Sequence, residues 1–533
     1  QTMPNFRKHP DFWFCTLLTV GTFGLTLPFL NHAFHIYEPL FLSVAKHIQY
    51  QPLNPYGFKY LWHIDYQPMF EILDFPPLFP YYLSLVFNGK TFPSELLVHG
   101  SLIPFALLAV LSLYALIRQV GQTPLLAFLG SLIFLVSPIF VIMANLAIPD
   151  LFAVSLFLLS LVLLIRGWKN NQGSSLLLGG LVLGAACLTR YNALPLLPFV
   201  FLLGLTYTSK SKACIPVLIA LTLFSAWVLL FLHNYQTDFI FKILSPHFAI
   251  KDVLRDFWST NIHLTLMGVV PILLLPLLLR KSPFWLILCV LIAGCLGLLI
   301  GGTNYIPRFA FFPDAIFFSL GITAILFLLF SVLKPIRDSK IISLSGQTAN
   351  GKFQGAFNLG PLSPESKIAL RKFLLFVWFA STLFLPFYFS LFPSKYLLMS
   401  LPPFILIFIL YLSQRSKIYT LSLLAVVPLF AIFSFTLAKS DFALAEVYRQ
   451  QARRITNAAN TSKGDAWFTG HWGWQFYMEN LGAYPIWVDS IKKNSGPFVG
   501  DWVITPQTNS PQPIQSPLNR KLIKVSTFSS RSD

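Results

Sequence analysis

Acidic residues are scarce in this chain, with 20 Asp and Glu against 38 Lys and Arg in 533 residues. Charged residues of both signs make up only 11%, where a soluble domain carries roughly 25%. That shortage excludes a single water-facing globule, because the remaining apolar surface could not be hidden. Cysteine is also rare. Cys15, Cys187, Cys214, Cys289 and Cys295 lie in or beside apolar runs and form no CxxC pair, which excludes a disulfide framework and a zinc site built on thiolates. The net charge of +18 would suggest nucleic acid if the basic residues formed a patch. Instead they fall mostly in short gaps between apolar runs, where they set membrane topology. The expected surroundings are membrane lipids, with no nucleic-acid partner.

What the chain has in excess is apolar sequence: 55% hydrophobic residues and a mean hydropathy of +0.66. Many runs reach the roughly 18–20 residues needed to cross a bilayer as a helix. The expected fold is an all-α polytopic membrane protein of about thirteen transmembrane helices with a small extracytoplasmic α/β C-terminal domain. The first span is read at 11–31; it lacks an A-x-A-like cleavage site and so reads as retained. The others are read at 95–117, 122–143, 149–165, 175–189, 192–208, 213–233, 263–279, 283–302, 310–333, 373–391, 397–413 and 418–438. Basic residues at 7–8, 118, 166–169, 210–212, 280–281 and 415–417 then face one side, read as cytoplasmic together with the N-terminus. On this reading residues 1–438 form the membrane domain, with a long first external loop at 32–94 and a flexible cytoplasmic loop at 334–372. Residues 439–533 lie outside, with AEVYRQQARRITNAAN as an amphipathic helix and AWFTG, YPIWV and DWVITP as short strands.

Two groups of residues invite chemistry. The first external loop concentrates His32, His35, Glu38, His63, Asp65, Glu71 and Asp74 in an acid-poor chain. Glu38 opens EPLFLSVAKHI, an amphipathic segment, and an acid at a helix N-terminus is favoured by the dipole alone. Asp74 precedes Phe75 and a Pro-Pro pair that pre-sets a helix start; its plain role is a cap. A carboxylate half-buried at the membrane surface would have a raised pKa and suit a general base. His32, His35 and Glu38 are spaced at three, which allows a metal, yet spacing alone is a weak motif. The second group is Arg190, Arg308 and Lys395, cations at very short external turns where the positive-inside rule disfavours them. Snorkelling accounts for any one; three on one face suggest a shared anionic ligand.

The run YEPLFLSVAKHI…QPLNPYGFKYLW…MFEILDFPPLFPYYLSLV resembles the first external loop of bacterial integral-membrane glycosyltransferases of the C superfamily (GT-C type). It is similar to the glycosyltransferase 39 group, which includes protein O-mannosyltransferases and lipid A aminoarabinose transferases. LTRYNALPLLP at 188–198, YIPRF at 305–309, SKYLLMSLPP at 394–403 and FTGHWGWQFYMENLG at 468–482 look like later family segments. The resemblance implies inverting transfer of a sugar from a polyprenyl-phosphate donor to a lipid, glycan or protein acceptor outside a bacterial inner membrane. It implies a catalytic carboxylate in the first loop, Glu38 or Asp74. Arg190, Tyr191, Arg308, Lys395 and Tyr396 would bind the carrier phosphate and donor, and Tyr37 and Asp150 would position substrate or loop. No cofactor is required; a divalent metal is allowed. The chain departs from the family at Tyr37–Glu38, where an Asp-Glu pair is usual, and at Phe75, where the aminoarabinose branch carries Lys before Pro-Pro.

The rival readings are a transporter or flippase for lipid-linked saccharides and an inactive binding scaffold. Many transporters are built from repeated halves; the charged loops and span lengths here are asymmetric, which favours the enzyme.

Overall fold

A computed structural model of the chain describes residues 10–63, 65–73, 75–87, 92–237, 250–267, 311–338, 364–384, 394–414, 417–462, 464–487 and 497–506. The described elements begin with α1 (Pro10–Thr26), α2 (Glu38–Ile48), strands β1 (Lys59–Trp62) and β2 (Asp65–Pro68), and the short helices α3 (Met69–Ile72) and α4 (Leu78–Ser84). Then come α5 (Glu95–Gln119), α6 (Pro124–Leu135), α7 (Pro138–Ala144), α8 (Pro149–Asn170), α9 (Gly173–Cys187), α10 (Leu197–Leu205) and α11 (Lys210–Tyr235). They are followed by α12 (Ile250–Met267), α13 (Phe311–Asp338), α14 (Pro364–Phe384), α15 (Leu397–Leu412) and α16 (Lys417–Thr461). The chain closes with β3 (Ala466–Phe468), α17 (Trp472–Asn480), β4 (Tyr484–Pro485) and β5 (Trp502–Ile504).

The protein is mostly helical. Among the described residues six helices are long and apolar enough to cross a membrane, or seven if the bent pair α6–α7 is one span. The spans expected at 283–302 and over most of 263–279 lie outside the described residues. The run read as one span at 122–143 is two helices, bent by 65°. Pro138 explains the break: the residue before proline is pushed out of the helical region, and Ser137 caps the new helix by accepting the Phe140 N–H at 3.3 Å. The runs at 175–189 and 192–208 form the shorter helices α9 and α10, joined by a 3-10 turn at Tyr191–Leu196. α13 and α14 extend into the segment read as a loop at 334–372. At the other end, 418–438 and the amphipathic segment after it are one helix of 45 residues, α16. No glycine or proline stands between Ala438 and Thr461 to separate them, so the expected boundary at 438/439 falls inside a continuous helix.

Small residues set the close packing that places the later site. A Cβ on Gly179 would stand 2.6 Å from Leu164 Cδ2 of α8, and one on Gly180 2.9 Å from Pro216 Cα of α11. α9 is therefore clamped between α8 and α11 at backbone distance, as small-residue stripes permit in membrane helices. That clamp fixes the turn at its C-terminal end, Thr189–Arg190.

The first loop is more ordered than its composition suggests. It contains the antiparallel hairpin β1–β2, with Tyr60 opposite Gln67, beside α2 and α4. Against it packs the C-terminal segment, where β3 lies between β4 and β5 in a parallel sheet. α17 crosses from β3 to β4 and docks on the loop: the Tyr477 hydroxyl accepts the Phe34 N–H at 2.8 Å and donates to Glu95 at 2.7 Å. Gly473 sits at the contact, where a Cβ would stand 2.0 Å from the Phe34 carbonyl oxygen and 2.8 Å from His35 Cα. Gly473→Ala is expected to cost about 1–3 kcal/mol by overpacking. Thermal unfolding in detergent should show a lowered Tm, and an unchanged Tm would mean the helix does not dock this way.

Candidate functional site

Glu38 stands at the first position of α2 and is fully buried. Its Oε2 reaches back to accept the His35 backbone N–H at 2.8 Å, much as an acid reaches back in a capping box. Oε1 accepts the Ala147 N–H at 2.6 Å and lies 2.9 Å from His99 Nε2. The other nitrogen of His99, Nδ1, faces the Leu30 carbonyl at 3.2 Å. Both imidazole nitrogens thus face acceptors, which suits an imidazolium donating twice to the carboxylate and the carbonyl. Burial pushes the Glu38 carboxyl up, but the His99 hydrogen bond and the charges of His99, His32 and His35 outweigh it. The group is held below the usual carboxylate range. The structure differs here from the expectation of a half-buried acid facing the membrane surface with a raised pKa: three N–H donors occupy both oxygens.

What Glu38 holds in place is the turn before α8. With the Ala147 N–H fixed, Pro149 starts α8 and Asp150 follows in its first turn. Arg190 donates from Nη2 to Asp150 Oδ1 at 2.7 Å, and both side chains are buried. Asp150 Oδ2 and Arg190 Nε have no hydrogen-bond partner among the described residues. The guanidinium lies 4.5 Å from the ring centre of Phe75 and 5.2 Å from that of Tyr396. Phe75 is anchored from both sides: its carbonyl accepts the Tyr56 hydroxyl at 2.6 Å, and the Leu78 N–H bonds Leu188 O at 3.1 Å. Lys395 Nζ lies 4.6 Å from the ring centre of Tyr37 and 5.7 Å from that of Phe75. Aromatic faces attract cations through the ring quadrupole, so these contacts help to hold both side chains.

Asp150, Arg190, Lys395 and Tyr396 therefore meet at one place, with Tyr37 against Lys395 and Phe75 against both cations. The crevice between Asp150, Arg190, Asn192, Lys395 and Tyr396 has a volume of about 10 Å³, room for about one water. Among the described residues it brings one carboxylate, Asp150, together with the cations Arg190 and Lys395. Tyr191 turns instead to α11, edge-on to Phe224 at 5.9 Å. Asp74 and Arg308 lie outside the described residues.

His99 was missed in the sequence, although a histidine inside an apolar span is unusual and marks a polar contact. A second, larger cavity of about 530 Å³ opens between α2, the hairpin and α17, lined by Lys46, Tyr60, Tyr66, Phe92, Gln475 and Glu479. Burial pushes the Glu479 carboxyl up, and the hydrogen bond from Gln475 offsets this only in part.

Residues 74–230 match the family described as dolichyl-phosphate-mannose-protein mannosyltransferase. The matched stretch includes Asp150 and Arg190. No curated protein matches the chain. Among solved structures it is similar to ArnT from Cupriavidus metallidurans in the apo state, at 13% identity and TM-score 0.44 over 90% of each chain. The same protein bound to undecaprenyl phosphate gives 14% identity and TM-score 0.42, again over 90% of each. The oligosaccharyltransferase AglB from Archaeoglobus fulgidus gives 12% and 0.46, over 91% of this chain and 65% of that one.

The geometry predicts a dependence on acid. A carboxyl held below its unfolded value of about 4.3 contributes stability above that pH and loses it as pH falls through the folded value. Glu38→Gln should destabilise the protein at neutral pH by about 3–5 kcal/mol, because it strands His99 in a buried site. It should also flatten the fall in stability below about pH 4.3. Thermal melts between pH 3 and 7 test both effects; a variant that melts like the wild type would remove Glu38 from this role.

Proposed function

We propose that this protein transfers a sugar from a polyprenyl-phosphate carrier to an acceptor hydroxyl or amine at the extracytoplasmic face of a bacterial inner membrane, with inversion at C1. The N-terminus would be cytoplasmic and the segment after α16 extracytoplasmic. The observation that carries the reading is the buried Asp150–Arg190 pair, whose Asp150 Oδ2 and Arg190 Nε have no hydrogen-bond partner among the described residues. The family match over residues 74–230 supports the sugar-transferring class.

In this reading Arg190 and Lys395 bind the carrier phosphate and meet the charge that develops as the bond from C1 to the phosphate oxygen breaks. Tyr396 and Phe75 brace the guanidinium, and Tyr37 and Phe75 brace the ammonium. The acceptor atom attacks C1 from the opposite face, and its proton passes to Asp150 Oδ2 as general base. Glu38, one of the two carboxylates that the sequence offered as the base, becomes a positioning residue, since its oxygens already accept three N–H groups. Asp74 remains a second carboxylate for the base role. The crevice is narrow, so donor binding requires Lys395 and Tyr396 to change rotamer. Acceptors of the lipid, glycan or protein class would reach it past the cavity lined by Tyr60, Tyr66 and Glu479.

The test uses protein in lipid nanodiscs with radiolabelled polyprenyl-phosphate sugars and membrane extract as acceptor. Asp150→Asn should lower kcat by about 10²–10⁴-fold, the usual worth of a general base, with donor KM little changed. Lys395→Gln should raise donor KM about tenfold, the effect of one lost charge-assisted contact of about 1.4 kcal/mol. Asp150→Asn turning over like the wild type would sink the assignment of the base. Wild type that binds donor but transfers nothing would favour the scaffold alternative.

A further inference from the structure

A second polar cluster lies between the first loop and α16, apart from the crevice at Asp150. His32 Nε2 stands 3.2 Å and His35 Nε2 3.5 Å from the same oxygen, Oδ2 of Asp441. Ligand atoms of His32, His35 and Glu38 also fall within 4.8 Å of one another. Both histidines are almost fully buried, while Asp441 keeps a quarter of its side chain exposed.

Two rings against one carboxylate oxygen leave room for a reading beyond an ion pair. His32 Nδ1 lies 2.8 Å from the Ala33 carbonyl, an acceptor only, so Nδ1 carries the hydrogen. Nε2 faces the Asp441 carboxylate at hydrogen-bond distance, so either a proton or a metal cation stands between them. The arrangement is the one metal-binding histidines use, with the remote nitrogen donating to a carbonyl and the other free to coordinate. His35 Nε2, also buried, has no hydrogen-bond partner among the described residues. Charge-assisted N–H···O bonds run about 2.7–2.9 Å, shorter than either contact here. Donor atoms about 2.0–2.1 Å from a tetrahedral ion stand about 3.3 Å apart, which both contacts match. The backbone adds a further sign: Ile36, β-branched, is held at φ 50° between His35 and Tyr37. A left-handed β-branched residue persists only where its surroundings impose it.

We propose that His32, His35 and Asp441 form a site for a divalent transition-metal ion, zinc foremost, that fastens the first loop to α16. Two imidazoles and one carboxylate suit zinc or its first-row neighbours and disfavour calcium and magnesium, which prefer oxygen ligands. The exposed side of Asp441 gives the ion access and leaves room for a water as fourth ligand. Glu38 stays outside the ligand set, its oxygens already occupied, and supplies a second negative charge nearby. The inference stands apart from the sugar-transfer reading, because it concerns what holds the loop and not what the crevice does.

The test is metal content and stability of the full chain, purified in detergent through a tag without histidine. Stripped with chelator and reloaded with zinc, wild type should hold about one ion per chain and gain in Tm. Cobalt loading should give visible d–d absorption. His35→Gln and Asp441→Asn should lose the bound ion and the Tm gain, whereas His35→Cys, still a zinc ligand, should keep both. Stripped wild type that takes up no stoichiometric zinc or cobalt and shows no Tm change would overturn the proposal, and this arm depends on no variant. Retention of the ion by both His35→Gln and Asp441→Asn would overturn it equally. Neither readout involves transfer, so the site and the enzymatic reading fail independently.

Discussion

The carboxylate of Glu38 is the knot on which the candidate site depends. It joins three stretches distant in sequence: its own loop through His35, helix α5 through His99, and the turn before α8 through Ala147. An ionised carboxylate buried without partners would cost many kcal/mol. Three donors, one of them charged, make its burial tolerable and turn it into a fixed point. From that point the chain sets the start of α8, hence Asp150, and the start of α2, hence Tyr37. Arg190 arrives independently, on the end of a helix clamped by glycines, and closes onto Asp150. Two rigid supports meeting at one ion pair is how a fold holds charged groups in place in a medium of low dielectric.

The rest of the described structure follows the same economy of charge. Asp11 pairs with Arg118, and Glu95 with Arg449. Arg449 also bonds Asn31 at 3.3 Å and Glu446, so α16 is tied to the first loop close to the histidine cluster. With so few acids in the chain, those that remain are spent largely on joining elements. Lys395 adds contacts of another kind, lying over the rings of Tyr37 and Phe75.

How much of this could be read from sequence depends on which force sets each feature. Hydropathy is local, so the apolar helices and the strands at AWF and WVI were legible. So was the helix opening at Glu38, because amphipathic spacing and an N-terminal acid are both written in consecutive residues. The oddity of Arg190 and Lys395 at short turns was legible for the same reason, and both do stand in the crevice. Partners were not. Nothing in the order of residues says that His99 lies against Glu38 or Asp441 against His32, since each pairing is made by packing across tens to hundreds of residues. Glu38 was read as half-buried at the membrane surface, and its full burial was not legible because it is made by His99 and Ala147, far away in sequence. The continuity of α16 was missed because a change from apolar to polar composition was taken for a boundary. Composition reports the surroundings of a helix; only glycine, proline or a cap reports its end.

That long helix has a mechanical consequence. Its 45 residues span about 67 Å at 1.5 Å per residue, about twice the hydrocarbon thickness of a bilayer of about 30 Å. About half of it therefore stands clear of the lipid as a lever arm, carrying the parallel sheet at its tip and touching the first loop along its length. Helices adjust their tilt when membrane thickness changes, and a tilt of about 10° swings the free end of a 35 Å arm by about 6 Å. The loop that carries Tyr37 and Glu38 touches this helix through Asn31, His32 and His35, so a tilt of α16 would be felt there.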